Sequence, residues 1–287
     1  MRWRRRAASR CSSSVRTFCI QMFPRRWRRT ESQADALRTD ILDLHDFYET
    51  PLGRAARGFV AARIEEAWRD HARLRLAGFG HAEPYLSFFD KAERVIAIAP
   101  GEQGVVRWPP GEANRAALAG SQWPLPDASI DRLLLVHGLE EADDPRRLMR
   151  ECWRVLTGDG RLIIVVAHRR GLWSMIDTTP FAHGRPYLKG QLERLLTESM
   201  FRPVAWSSAL YFPPFGARFL LRAARAWERA GAQAWPGLGG VILVEAAKDM
   251  AQPVAVGKIA RARAGGPVAA RPAISAARAA KRKVETP

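Results

Sequence analysis

Residues 125–173 read LPDASIDRLLLVHGLEEADDPRRLMRECWRVLTGDGRLIIVVAHRRGLW, and their pattern decides the fold. Ile130 to Val136 (IDRLLLV) is a short apolar run behind a Pro-Asp-Ala-Ser turn, and Arg161 to Ala167 (RLIIVVA) is a second. Runs of this length without polar alternation belong to strands covered on both faces, as in parallel sheets. Between them, Asp144-Pro145 is a helix start, with Asp at the cap and Pro in the first turn. The helix carries Leu148, Met149, Cys152, Trp153 and Leu156 on its apolar side, and Gly158 and Gly160 are predicted to end it in a turn. Strand, helix and strand in succession imply a right-handed βαβ crossover.

The same logic extends outward. Upstream, Leu37–Tyr48 has helical spacing, Pro51 and Gly53 interrupt, and Gly58–His71 is a stronger amphipathic helix. Leu74–Ala77 is a short apolar run ended by Gly78-Phe79-Gly80, Pro84–Phe89 opens a helix, and Val95–Ala99 (VIAIA) is a compact strand stopped by Pro100 and Gly101. The Pro- and Gly-rich stretch 101–129 is expected to hold a short helix at Ala113–Ala119. Downstream, helices are expected over Pro186–Met200 and Arg218–Ala230, and strands over Val204–Phe212 and Gly240–Ala246 (GVILVEA). The whole predicts one three-layer α/β/α sandwich over 37–250, with a Rossmann-like, mostly parallel sheet of seven strands whose last strand is antiparallel.

The block from 125 to 173 resembles the small-molecule class I S-adenosylmethionine-dependent methyltransferases of type 11. Pro126-Asp127-Ala128-Ser129-Ile130-Asp131 stands where that family turns into its fourth strand. Val136-His137-Gly138-Leu139-Glu140, Asp144-Pro145, Arg154-Val155-Leu156 and Gly158-Asp159-Gly160 follow in the family's order. The resemblance implies S-adenosyl-L-methionine as cofactor, held at Gly78, Phe79, Gly80, Ala99, Pro100 and His137. It implies methyl transfer to a small-molecule substrate by direct attack on the cofactor methyl. Such a reaction needs alignment of acceptor, methyl and sulfur more than a catalytic dyad.

The chain departs from the family at three places. The first motif there carries an acid and three glycines; here Leu76 takes the acid position and Ala82 that of the third glycine. Ala99-Pro100 stands where an acid at the end of the second strand is expected, with Glu102 as a nearby substitute, and Ala119 replaces an acid after the third. These losses favour a second reading, a non-catalytic methyltransferase-like domain that binds partners or regulates. No single residue is assigned catalysis. His137, just past a buried strand, could orient substrate or take a proton, or be a structural histidine. Tyr48 could cover the cofactor or pack the core. His183, Arg185 and Tyr187 are weaker substrate candidates, and Tyr211-Phe212-Pro213-Pro214-Phe215 could line an apolar pocket or seal the core.

The net charge of +17 is confined to the ends. Residues 1–30 hold ten Arg and no acid, residues 251–287 hold eight Lys or Arg against one Glu, and 31–250 hold 28 basic and 28 acidic residues. A basic groove for specific nucleic-acid recognition is therefore not expected in the fold, although the tails could contact polyanions weakly. Residues 1–36 read as a basic disordered or non-native extension, with a targeting peptide or a binding arm as alternatives. Residues 251–287 read as a basic disordered tail. Cys11, Cys19 and Cys152 fit no zinc spacing, and Cys152 reads as a buried thiol. No stretch is apolar enough to span a membrane, and a reduced, cytoplasmic setting is expected.

Overall fold

The structure is a computed structural model that describes residues 41–250 apart from 102, 103, 112 and 121. The extensions 1–36 and 251–287, and Glu102 as a substitute acid, lie outside the described residues. The elements run α1 (Ile41–Glu49), α2 (Pro51–Ala67), β1 (Arg75–Gly80), α3 (Glu83–Leu86), β2 (Arg94–Pro100), β3 (Ala116–Ala119) and β4 (Ile130–Val136). Then come α4 (Pro145–Val155), β5 (Leu156–Ala167), α5 (Lys189–Glu198), β6 (Phe201–Ala209), α6 (Arg218–Ala234) and β7 (Val241–Lys248). The seven strands form one sheet in the order β3-β2-β1-β4-β5-β7-β6, in which only β7 is antiparallel to its neighbours.

Two apolar cores cover the sheet, and the alternation of side chains along the central strands feeds both. Leu76, Leu134, Val136, Ile163 and Val165 face one core with α1, α2, α3 and α6. Ala77, Phe79, Leu133, Leu135, Leu162, Ile164 and Val166 face the other, with α4 and α5. A strand apolar at every position is thus filling two layers at once. Cys152 is buried in α4, where desolvation pushes its thiol well above the usual range.

Local signals explain most boundaries. Thr50 caps α2, its hydroxyl accepting from the Gly53 amide at 2.9 Å, and Pro51 opens the helix instead of merely interrupting the chain. Asp144 caps α4 by accepting from the Arg147 amide at 3.0 Å. Three expectations need correction. Residues 113–119 hold no helix: Ala116–Ala119 pair with Ala97–Pro100 as a parallel edge strand, because strand pairing outweighs the helix propensity of a few alanines. Gly158-Asp159-Gly160 does not end α4; the helix stops at Val155, and Leu156 is already extended and paired with Ile130. Gly78-Phe79-Gly80 is the last half of β1, paired with β2 and β4, and not a turn.

Candidate functional site

The sequence order reverses beside β1: β2 and β3 lie on one side of it and β4 on the other. In open parallel sheets ligands settle at such a switch point, beyond the carboxyl ends of the strands. A cleft of about 330 Å³ opens there, lined by Phe79 of β1, Pro100 and Gly101 of β2, Ala119 and Gly120 of β3, and Gly138 after β4. That volume lies within the usual range of ligand pockets, roughly 300–1,000 Å³.

Its apolar floor is a stacked pair, with the Phe79 and Trp123 rings 4.6 Å apart and inclined by 18°. Gly138 permits this stack, since a Cβ there would stand 2.7 Å from the Phe79 ring. Trp123 is fixed by α4. Glu151 accepts from its amide at 3.0 Å, and Arg154 donates to the carbonyls of Trp123 and Leu125 at 3.2 and 2.8 Å. Arg154 also pairs with Glu151 and Asp127, at 2.8 and 2.6 Å, and those partners raise its pKa. The opposite wall is acidic: Glu141, Asp143, Asp144 and Glu151 line the cleft beside one cation, Arg147. Gly120 is exposed at the cleft lining, and a Cβ there would meet nothing within 4 Å.

The sequence candidates divide between two places. Phe79 and Pro100 line the cleft. Ala99 is fully buried within β2. Gly78 faces the other core, where its missing Cβ makes room for Ala82 Cβ and Leu86 at 2.6 and 2.9 Å. Gly80 has φ +81, and a Cβ on it would lie 2.2 Å from the Val136 carbonyl oxygen. Both glycines thus serve contacts within the protein.

His137, at φ +53, points into a buried polar cluster on the face away from the cleft lining. Its Nε2 lies 2.9 Å from the Tyr48 hydroxyl, which also accepts from Tyr85 at 3.2 Å. Burial lowers the His137 pKa to about 4, so the ring that shares a hydrogen bond with Tyr48 is neutral. His81 stacks on Tyr48 at 5.1 Å, and burial lowers its pKa to about 3. Its Nδ1 is 3.5 Å from Glu83 Oε2, but neither group makes a side-chain hydrogen bond among the described residues. Burial raises Glu83 to about 7 and does the same to Glu140, one oxygen of which accepts from the Ala167 amide at 2.9 Å. His183 and Arg185 are exposed, Tyr187 is half-buried, and none of the three lines the cleft. Tyr211 lines a different cavity, Phe212 seals the core, and Phe215 is exposed. Reading the sequence missed Trp123, Glu151 and the clamp role of Arg154; the one available signal was an aromatic residue in the Pro-flanked loop before β4.

A family model described as "Methyltransferase domain" matches residues 77–164, which run from β1 to β5 and hold the whole cleft. The matched segment, under a third of the chain, is similar to the class I S-adenosylmethionine-dependent methyltransferases. A Mycobacterium tuberculosis protein named as a probable S-adenosylmethionine-dependent methyltransferase is 36% identical over 109 residues, 37% of this chain and 39% of the relative. An uncharacterized protein of Mycobacterium bovis is 31% identical over 124 residues, 41% of this chain and 44% of that protein. The matched part therefore spans about two fifths of these relatives' length. The fold is shared with S-adenosylmethionine-dependent methyltransferases of Aquifex aeolicus (TM-score 0.50, 15% identity, 74% of this chain and all of that one) and Archaeoglobus fulgidus (TM-score 0.50, 17% identity, 72% and 98%).

The family implies S-adenosylmethionine as cofactor. The cleft offers features that suit its nucleoside half: a flat apolar floor, the exposed Gly120 at its lining, and carboxylates able to accept from hydroxyl and amine groups. The acids expected from β1, β2 and β3 are replaced by the buried Leu76, Ala99 and Ala119. Among the described residues, carboxylates line only the wall formed by α4 and the residues before it.

Proposed function

We propose that the domain binds S-adenosylmethionine in the cleft at the ends of β1, β2, β3 and β4 and transfers its methyl group to a small molecule. The observation that carries this reading is the open slot beside Gly120, floored by the Phe79–Trp123 stack and walled by acids. A bound cofactor would supply an activated methyl on a sulfonium sulfur. The chain's own part is to bind and align. Phe79 and Trp123 offer an apolar face to a ring, and Gly101 and Gly120 let it approach the backbone. Glu141, Asp143 and Asp144 accept hydrogen bonds and favour positive charge. Arg154 and Glu151 hold Trp123 in place before ligand arrives. His137 is hydrogen-bonded to Tyr48 and does not line the cleft, so its part is to brace the turn after β4.

The apolar residues at positions 76, 99 and 119 favour the second reading, a non-catalytic domain of the same fold. Thermal shift with S-adenosylhomocysteine separates the two. At a hundredfold excess over Kd, binding adds about 2.7 kcal/mol of stability and raises Tm by roughly 5–10 °C. Methyl transfer is then tested with radiolabelled S-adenosylmethionine and panels of small acceptors. No shift at millimolar ligand sinks the methyl-transfer reading and leaves the non-catalytic one.

A further inference from the structure

A second cavity, of about 790 Å³, lies at the same edge of the sheet beyond β5. Its walls come from His168 and Arg170 after β5, Leu188–Gln191 at the start of α5, Trp206–Ser208 of β6, Tyr211, Pro236, Gly237 and Ile242. Its chemistry is opposite to that of the first cleft: no Asp or Glu stands among the described residues that line it. Arg170 makes no hydrogen bond or ion pair among the described residues, and it is exposed at the rim. Lys189 has no carboxylate partner there either; its ammonium rests 4.8 Å from the centre of the Trp206 ring. His168 is 8% exposed, and its Nδ1, 3.0 Å from the Gly239 carbonyl oxygen, must be the donor. Two cations without counter-charges, facing one cavity beside aromatic side chains, form a receptor for an anion.

We propose that this cavity binds a small anionic molecule bearing a flat ring, an aryl carboxylate or aryl phosphate, at a site separate from the cofactor cleft. Arg170 offers a planar fork that matches carboxylate or phosphate oxygens in pairs. Lys189 turns from the Trp206 ring to the anion and frees that face for the ligand's ring. A bare phosphate ion would leave most of so large a cavity empty, which is why the ligand carries a ring. The inference does not rest on methyl transfer, and its test reads binding alone.

The experiment is calorimetry on the full chain with phenyl phosphate and benzoate as anionic probes and benzamide as the neutral control. At least one anion is expected to bind once per chain, and benzamide not at all. Arg170→Ala and Lys189→Ala should each weaken binding about tenfold, the loss of one charged contact. Arg222→Ala, exposed on α6, should change it by less than about twofold. Saturating S-adenosylhomocysteine should leave the anion's affinity unchanged. The proposal is overturned if neither anion binds, if benzamide binds as tightly, or if the double variant Arg170→Ala/Lys189→Ala binds like the parent. Competition by S-adenosylhomocysteine overturns it too, because the anion would then sit in the other cleft.

Discussion

Replacing Tyr48 by Phe removes one oxygen from the buried cluster behind the cleft and unbalances two neighbours. The Tyr85 hydroxyl donates to Tyr48, and the Tyr48 hydroxyl shares a hydrogen bond with His137 Nε2. All three side chains are buried, so water cannot replace the lost partner without a local opening. A buried polar atom left unsatisfied costs about 1–3 kcal/mol, so losing partners for both Tyr85 and His137 costs about 2–6 kcal/mol. For a domain of this length that lowers Tm by roughly 5–25 °C. Tyr85→Phe should cost less, about 1 kcal/mol, because it ends the relay without stranding His137. Scanning calorimetry of the three proteins gives the order directly. A Tyr48→Phe variant that melts within a degree of the parent, or one more stable than Tyr85→Phe, would refute the relay.

Further expectations concern neighbouring groups. Glu83 has its pKa raised by burial to about 7, above its unfolded value, so its carboxylate destabilises the fold increasingly as pH rises from about 4.5 to 7. Glu83→Gln should therefore be more stable than the parent at pH 8, by up to about 3 kcal/mol, and the gain should vanish near pH 4.5; denaturant melts at the two pH values test it, and a gain that grows toward acid contradicts it. The depressed pKa values of His81 and His137 work the other way, removing stability as pH falls from about 6.5 toward 3, so acid unfolding should begin earlier than in a variant with His81 replaced by Gln. Gly78→Ala forces a Cβ against Ala82 and Leu86 and should cost about 1–3 kcal/mol by urea melts, a loss that an unchanged midpoint would rule out.

The fold was legible because its central strands are buried on both faces. Leu133–Val136 and Leu162–Ala167 carry that demand as unbroken apolar runs, and Asp144-Pro145 marks the helix between them. The glycines were legible as a motif but not in their use. Only the folded arrangement reveals that Ala82 and Val136 occupy the space Gly78 and Gly80 leave free, while Gly120, outside the motif, lines the cleft. Ala116–Ala119 carried no strand signal because its conformation comes from pairing with β2, a contact between distant parts of the chain. Trp123 escaped for the same reason: its position depends on Arg154 and Glu151, about thirty residues away, and on the ring of Phe79.

The central claim is that the slot beside Gly120 receives the cofactor's ring, and Gly120→Leu tests it most directly. Gly120 is exposed and has no positive φ, and a Cβ placed on it would meet no atom within 4 Å, so the larger side chain enters the slot without straining the fold. Calorimetric titration with S-adenosylhomocysteine should show one site on the parent. The variant, with an unchanged Tm, should bind about tenfold to a hundredfold more weakly, since the stacking of a base is worth about 1–3 kcal/mol. Equal affinity in the two proteins would contradict the account.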